Sequence, residues 1–334
     1  MNVYIFYYIC ELKSNTFRGI LKMNRSYILG IAISMVIIYH LFCWVYNPIG
    51  RLNIGYVGVD IFLFFSGLGL SYSYKKNNLK DFYKRRFRKI YPLYFIVSIM
   101  TIAIIAVRSV PSIHNFIINT LLQITTLSYY INPESSIDWY LNSLFLFYLL
   151  FPLLFKFSIK YKLKFYFFLI VLCIVIEFSA FILFDYSFYW MHKCFIERVP
   201  IFCLGIIYST TNYSNDNIVK FTKWGLVLFF VFNIISLSTS LHFFSFLSIS
   251  FIAPLLILIC NRLSKKFQST KLEYLGNYTL ELYCANLIVW RVLPFFDSII
   301  LKFLLFFVIQ IVISILFIYI NNWIKKIYPI GVRI

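Results

Sequence analysis

The chain has 334 residues, of which 61% are hydrophobic, 22% aromatic and only 13% charged, with a mean hydropathy of +0.83. Such a composition cannot present a solvated surface all round, which excludes an ordinary soluble domain and places the chain in lipid. The formal net charge of +19 does not argue for a nucleic-acid partner, because Lys and Arg gather in short loops between apolar runs, as the positive-inside rule expects.

Residues 1–22 hold a short apolar piece, Val3 to Cys10, that precedes Lys13 and Arg18 and has no A-x-A-like site, so they do not read as a cleavable signal. Two readings stand for them: an interfacial segment, or sequence upstream of a true start at Met23. Residues 23–334 read as a single membrane domain without detectable repeats.

A helix needs roughly 20 apolar residues to cross the hydrocarbon core. Runs of that kind lie at 27–46, 54–74, 90–107, 139–156, 163–184, 193–210, 219–238, 243–262, 273–292 and 299–322. They predict an all-α, polytopic transmembrane bundle of about ten spans. The stretch 112–138 is only partly apolar and carries His114, Asn115, Asn119, Gln123, Thr125, Thr126, Pro133, Glu134 and Asp138. If it does not cross, the basic loops at 75–89, 156–164, 220–223 and 262–271 and the tail with Lys325, Lys326 and Arg333 all face the cytoplasm, as do both termini. It is therefore expected to be re-entrant or interfacial on the outer side. Non-helical backbone at that depth requires protein or a water-filled cavity to satisfy its polar groups.

Seven cysteines, none in a C-x-x-C pair, suggest neither a disulfide framework nor a metal site. The informative residues are polar groups in apolar surroundings, each of which needs a partner or a purpose. His40 stands roughly 21 Å above Ser26 on a helix rising 1.5 Å per residue, past the bilayer centre. Asp60 opens the next run on the same side. An imidazole there can act as a general base toward a hydroxyl, and a nearby carboxylate can orient it. As isolated features, an interfacial His and a helix N-terminal Asp are equally ordinary.

Between Lys75 and Lys89, fifteen residues carry eight Lys or Arg. On a helix Arg85 with Arg88, and Arg86 with Lys89, are i, i+3 pairs projecting together, a geometry suited to phosphate oxygens. The plainer account is a topogenic cluster touching anionic headgroups. Glu177, Asp185, Glu197, Arg198, Glu281 and Arg291 read as structural pairing, and Ser66, Gly67 and Gly69 as close helix packing.

In order along the chain, His40 at the end of the first run, G-x-x-G-V-D-x-F-x-x-x-S-G (Gly55 to Gly67), the basic patch leading to I-x-P (Ile90 to Pro92), WYLNSLFLFYLLFPLL (Trp139 to Leu154), ERVPIFCLG (Glu197 to Gly205) and LGNYTLELY (Leu275 to Tyr283) resemble the acyltransferase-3 family of bacterial integral-membrane O-acyltransferases. The resemblance implies an acetyl or similar acyl group taken from cytoplasmic acyl-CoA, acetyl-CoA above all, and delivered to a sugar hydroxyl of a surface glycan, in the bacterial cytoplasmic membrane. It implies an essential His40 and an R-x-x-R-type motif that holds the CoA. Aligned on Pro92 that motif is Arg86 and Lys89, with Arg85 and Arg88 in the alternative register. Two positions depart from the family: Leu29 stands where an Arg is usual, with Arg25 about one turn below on the same face, and Asn286 stands where a second His is frequent. A glycan-lipid flippase and a non-catalytic assembly scaffold are the rival readings.

Overall fold

The computed structural model describes residues 24–45, 54–108, 112–132, 136, 138–183, 195–209, 215–239 and 243–327. Residues 1–22, Asp185 and Arg333 lie outside them. The described residues are helical, with no strand among them. In chain order the helices are α1 (Arg25–Val45), α2 (Ile54–Lys76), α3 (Leu79–Arg108), α4 (Ile113–Ile124), α5 (Ser128–Ile131), α6 (Trp139–Tyr161), α7 (Leu163–Leu183), α8 (Val199–Tyr208), α9 (Asn215–Thr239), α10 (Phe243–Lys266), α11 (Thr270–Asn277), α12 (Thr279–Val292) and α13 (Ile299–Ile327), with a 3-10 turn at Leu293–Phe295.

Six of the described helices, α1, α2, α3, α6, α7 and α13, are long and apolar enough to cross a membrane. The remaining four apolar runs correspond to α8, α9, α10 and the α11–α12 pair. Two of these are shaped by breaks that hydropathy does not see. The run 193–210 turns at Glu197 and Arg198 before a helix of 10 residues with Pro200 in its first turn, where a missing N–H costs nothing. The run 273–292 divides at Tyr278, which ends α11 and begins a separate α12 of 14 residues.

Glycines set the tightest crossings. A Cβ on Gly67 would run into the backbone of Phe202, and one on Gly205 into the backbone of Phe64, so α2 and α8 meet main chain to main chain. Gly30 and Gly276 make the same reciprocal contact between α1 and α11. Without water-driven association between lipid-bathed helices, such close approach supplies the packing attraction. Gly69, expected to share this role, faces open space. Around the α2–α8 crossing the core is aromatic: Phe147 stacks on Phe202 with centroids 4.6 Å apart, and Tyr74 packs edge-on to Phe151 and Phe155 at 5.6 and 5.2 Å.

One end of the bundle is basic. Lys75 and Lys76 close α2, Lys160 closes α6, Lys265 and Lys266 close α10, and Lys325 and Lys326 close α13, which suits the negative C-terminal end of each helix dipole. Lys75 lies 6.0 Å over the Phe155 ring, tying the α2 and α6 ends together. At the opposite end, α4 has 12 residues and is about 18 Å long, too short to span the hydrocarbon. Thr126, at a left-handed φ of 63°, turns the chain from α4 into α5. The polar groups of this connection are satisfied by protein: Tyr94 donates to the Gln123 carbonyl at 2.6 Å and to Asn142 Oδ1 at 3.1 Å, and Ser128 donates to Gln123 Oε1 at 2.8 Å.

Candidate active site

A cleft opens toward the basic end between α1, α2, α3, α6 and α12, lined by Arg25, Lys89, Tyr148, Tyr140 and Tyr283 among others. Its two cations come from the N-terminal parts of helices. Arg25 is the first residue of α1, and Lys89 stands on the first turns of α3, where the chain has just turned back through Asn77 and Asn78. Arg86 lies within electrostatic reach of Arg25 and Tyr148, with its guanidinium 5.8 Å from the Phe82 ring. Arg86 Nε is buried with no hydrogen-bond partner among the described residues.

The two registers of the basic motif differ in one contact with the cleft. Lys89 lines it and Arg86 stands beside Arg25 outside the lining, whereas neither Arg85 nor Arg88 lines it; Lys89 and Arg88 are both exposed. Leu29 also lines the cleft. Arg25, one turn closer to the basic end, thus brings a guanidinium into the same space that an Arg at position 29 would enter.

At the far end of the cleft Tyr283 donates to Asp138 Oδ1 at 2.7 Å, while Asp138 Oδ2 accepts from the backbone of Leu141 at 2.6 Å and so caps α6. Burial pushes the Asp138 carboxyl above its ordinary range, against the pull of these bonds and of Arg291. Arg291 donates to the Ser136 carbonyl at 2.7 Å. These contacts clamp the 112–138 connection onto α12.

His40 stands near the end of α1, half-buried against α12. Its Nδ1 is hydrogen-bonded to Asn286 Oδ1, and its ring lies 5.2 Å from that of Trp290 and 5.5 Å from that of Tyr39. The ring thus faces protein on one side. His40 does not itself line the cleft; the lining ends at Tyr283, one helical turn before Asn286 on α12.

Asp60 is placed elsewhere than the sequence reading supposed. Its Oδ1 is 2.9 Å from Arg198 Nε and its Oδ2 accepts from Ser250 at 3.4 Å, with all three residues buried. Glu197 lies 3.4 Å from Arg198 Nη1, and the guanidinium sits 5.3 Å over the Tyr56 ring. The reason is helical phase. A Cβ on Gly58 would strike Ala32 of α1, so that face of α2 abuts α1. Asp60, two residues on, is rotated by about 200° and points to α8 and α10. The hydrogen-bond partner of His40 is Asn286, and Asp60 belongs to an ion pair in the core.

Sequence reasoning had not picked out Gln310, which accepts from Asn286 Nδ2 at 3.1 Å. The available signal was a single amide in the otherwise apolar middle of the last span, a costly choice unless it is used. Glu281 bonds Asn321 and lies 3.6 Å from Lys325, as structural pairing predicts.

Several apolar spans, a cationic cleft and polar side chains converging inside the bundle define a multi-pass membrane protein with an internal site. Residues 27–320 match the family model Acyl_transf_3, described as an acyltransferase domain, and the chain belongs to that family. No curated protein and no solved structure matches the chain.

Proposed function

We propose that this member of the acyltransferase family is an O-acyltransferase of the bacterial cytoplasmic membrane, which moves an acetyl or similarly short acyl group from cytoplasmic acyl-CoA to a sugar hydroxyl of a cell-surface or secreted polysaccharide. The basic end faces the cytoplasm, together with both termini of a bundle of about ten passes, as the positive-inside rule favours. The phosphates of the donor rest on Arg25, Arg86 and Lys89, whose guanidinium forks and ammonium suit them. The thioester arm runs up the cleft toward α12.

His40 takes the proton of the acceptor hydroxyl as its oxygen attacks the thioester carbonyl. The C–S bond then breaks, and the CoA thiolate leaves and recovers a proton. The observation that supports this reading above others is that the cleft leads from Arg25 and Lys89 to within one turn of the Asn286 that holds His40. A flippase for lipid-linked glycans would also use a basic mouth, but it would yield no thioester-dependent product.

The test is transfer of labelled acetyl from acetyl-CoA in membranes, with mass spectrometry of the cell-surface glycan. His40→Ala is expected to lower transfer by about 10²-fold or more, the usual contribution of a positioned base. Unchanged glycan esterification in that variant would discard the mechanism.

A further inference from the structure

The hydrogen bonds behind His40 have a fixed direction. The chain of contacts begins at the main-chain carbonyl of Leu282, which can only accept. Gln310 Nε2 lies 3.0 Å from it and must be the donor. A second anchor agrees: the Ser314 hydroxyl donates to the Gln310 carbonyl at 2.5 Å, leaving Ser314 Oγ to accept from Gln310 Nε2 at 3.3 Å. With both N–H groups of the Gln310 amide committed, its Oε1 faces Asn286 and accepts from Nδ2 at 3.1 Å. Asn286 Oδ1 is thereby turned to His40 Nδ1. An amide oxygen carries no proton, so the hydrogen of this bond must sit on the imidazole. Asn286, Gln310 and Ser314 are buried at 1%, 6% and 5% exposure, where a flipped amide would leave a donor facing a donor with no water to satisfy either.

We propose that Leu282, Gln310 and Asn286 form an amide relay that fixes His40 as the Nδ1–H tautomer and so keeps the lone pair on Nε2, making Asn286 and Gln310 positioning residues for transfer. The inference about catalysis rests on His40 being the base; the tautomer does not. Two neutral amides hold the ring without a carboxylate beside it among the described residues, which assigns Asn286 the orienting task first expected of Asp60. They also bind α12 and α13 to α1 across the far end of the cleft.

The experiment is nitrogen NMR of the full chain in lipid nanodiscs, labelled with 15N at histidine. The resonances of His40 among the four histidines are assigned by their loss in His40→Gln. The protonated nitrogen of neutral His40 is expected to be Nδ1. In Gln310→Leu the Asn286 amide is released to rotate, and the population should move toward Nε2–H. In Gln310→Glu the neutral acid can still donate to Leu282 and accept from Asn286, so the wild-type tautomer should return. Parallel kinetics in Gln310→Leu should show a fall in kcat of about tenfold or more with KM for acetyl-CoA within about twofold, because a misdirected imidazole removes transition-state stabilisation and leaves donor binding alone.

Nε2–H in the wild type would overturn the relay, as would a tautomer that ignores both Gln310 substitutions, whatever happens to activity. A tautomer that follows Gln310 while His40→Ala still transfers acetyl would uphold the relay and overturn only the role of His40 as base.

Discussion

Among single residues, Arg85, Arg86, Arg88 and Lys89 share one short stretch of α3. Lys89 alone of the four lines the cleft, although it is exposed as Arg88 is, and Arg86 holds a buried Nε beside it. Arg86→Ala and Lys89→Ala are each expected to raise KM for acetyl-CoA by about tenfold or more, the scale of one lost charge-assisted hydrogen bond. Arg88→Ala should stay within about twofold, since Arg88 does not line the cleft; titrating the donor over the three variants decides. The buried ion pair responds differently. Asp60→Ala or Arg198→Ala leaves a charge in apolar surroundings and should destabilise the bundle by about 3–5 kcal/mol, whereas Asp60→Leu with Arg198→Met and Glu197→Gln, which removes all three charges of the cluster, should recover most of the loss. Thermal unfolding in detergent, followed by loss of the monodisperse species, measures both. The candidate residues were legible from type and depth: an imidazole and a carboxylate in lipid announce themselves. Which of them meet was not legible, because two residues of phase on α2 turn Asp60 from α1 to Arg198, and nothing in a single sequence reports that rotation.

At the scale of helices, glycine does what side chains do in soluble cores. The α2–α8 and α1–α11 contacts are built from glycine on both partners, so a larger residue has no side chain to push aside, only backbone. Gly205→Val and Gly276→Val are expected to lower stability by about 1–3 kcal/mol or more, with Gly69→Ala as a control within about ±0.5 kcal/mol, read by the same unfolding assay. The pattern of small residues was visible along the chain, yet Gly69 and Gly67 could be told apart only when the crossing was known. The breaks at Glu197–Arg198 and at Tyr278 were likewise hidden. Hydropathy sums a window, and a window that contains a turn sums to much the same value as one that does not. The 12 residues of α4 were easier, because the amides and acids of 112–138 interrupt the apolar run where a spanning helix would not tolerate them.

For the molecule as a whole, the sidedness of charge was the most legible property. The basic turns that close α2, α6, α10 and α13 were readable in the sequence as clusters between apolar runs, and their shared side makes a prediction. A cysteine introduced at Lys162, between α6 and α7, should react with a membrane-impermeant maleimide only after the membrane is opened. One at Thr126 should react from outside in intact cells. Equal labelling of both before lysis would reverse or abolish the proposed orientation.

The helix α1 is fastened to the 270–292 hairpin at two levels: Gly30 against Gly276, with Ser26 donating to Asn277 at 2.7 Å, and His40 against Asn286. Between Arg25 and His40 it is an unbroken rod of about 22 Å. A helix pinned at both levels cannot shorten, so the protein holds a gauge whose marks are a guanidinium and an imidazole. Thioesters that keep the reactive end but lack the distal phosphates would touch one mark only, and would lose turnover as well as affinity.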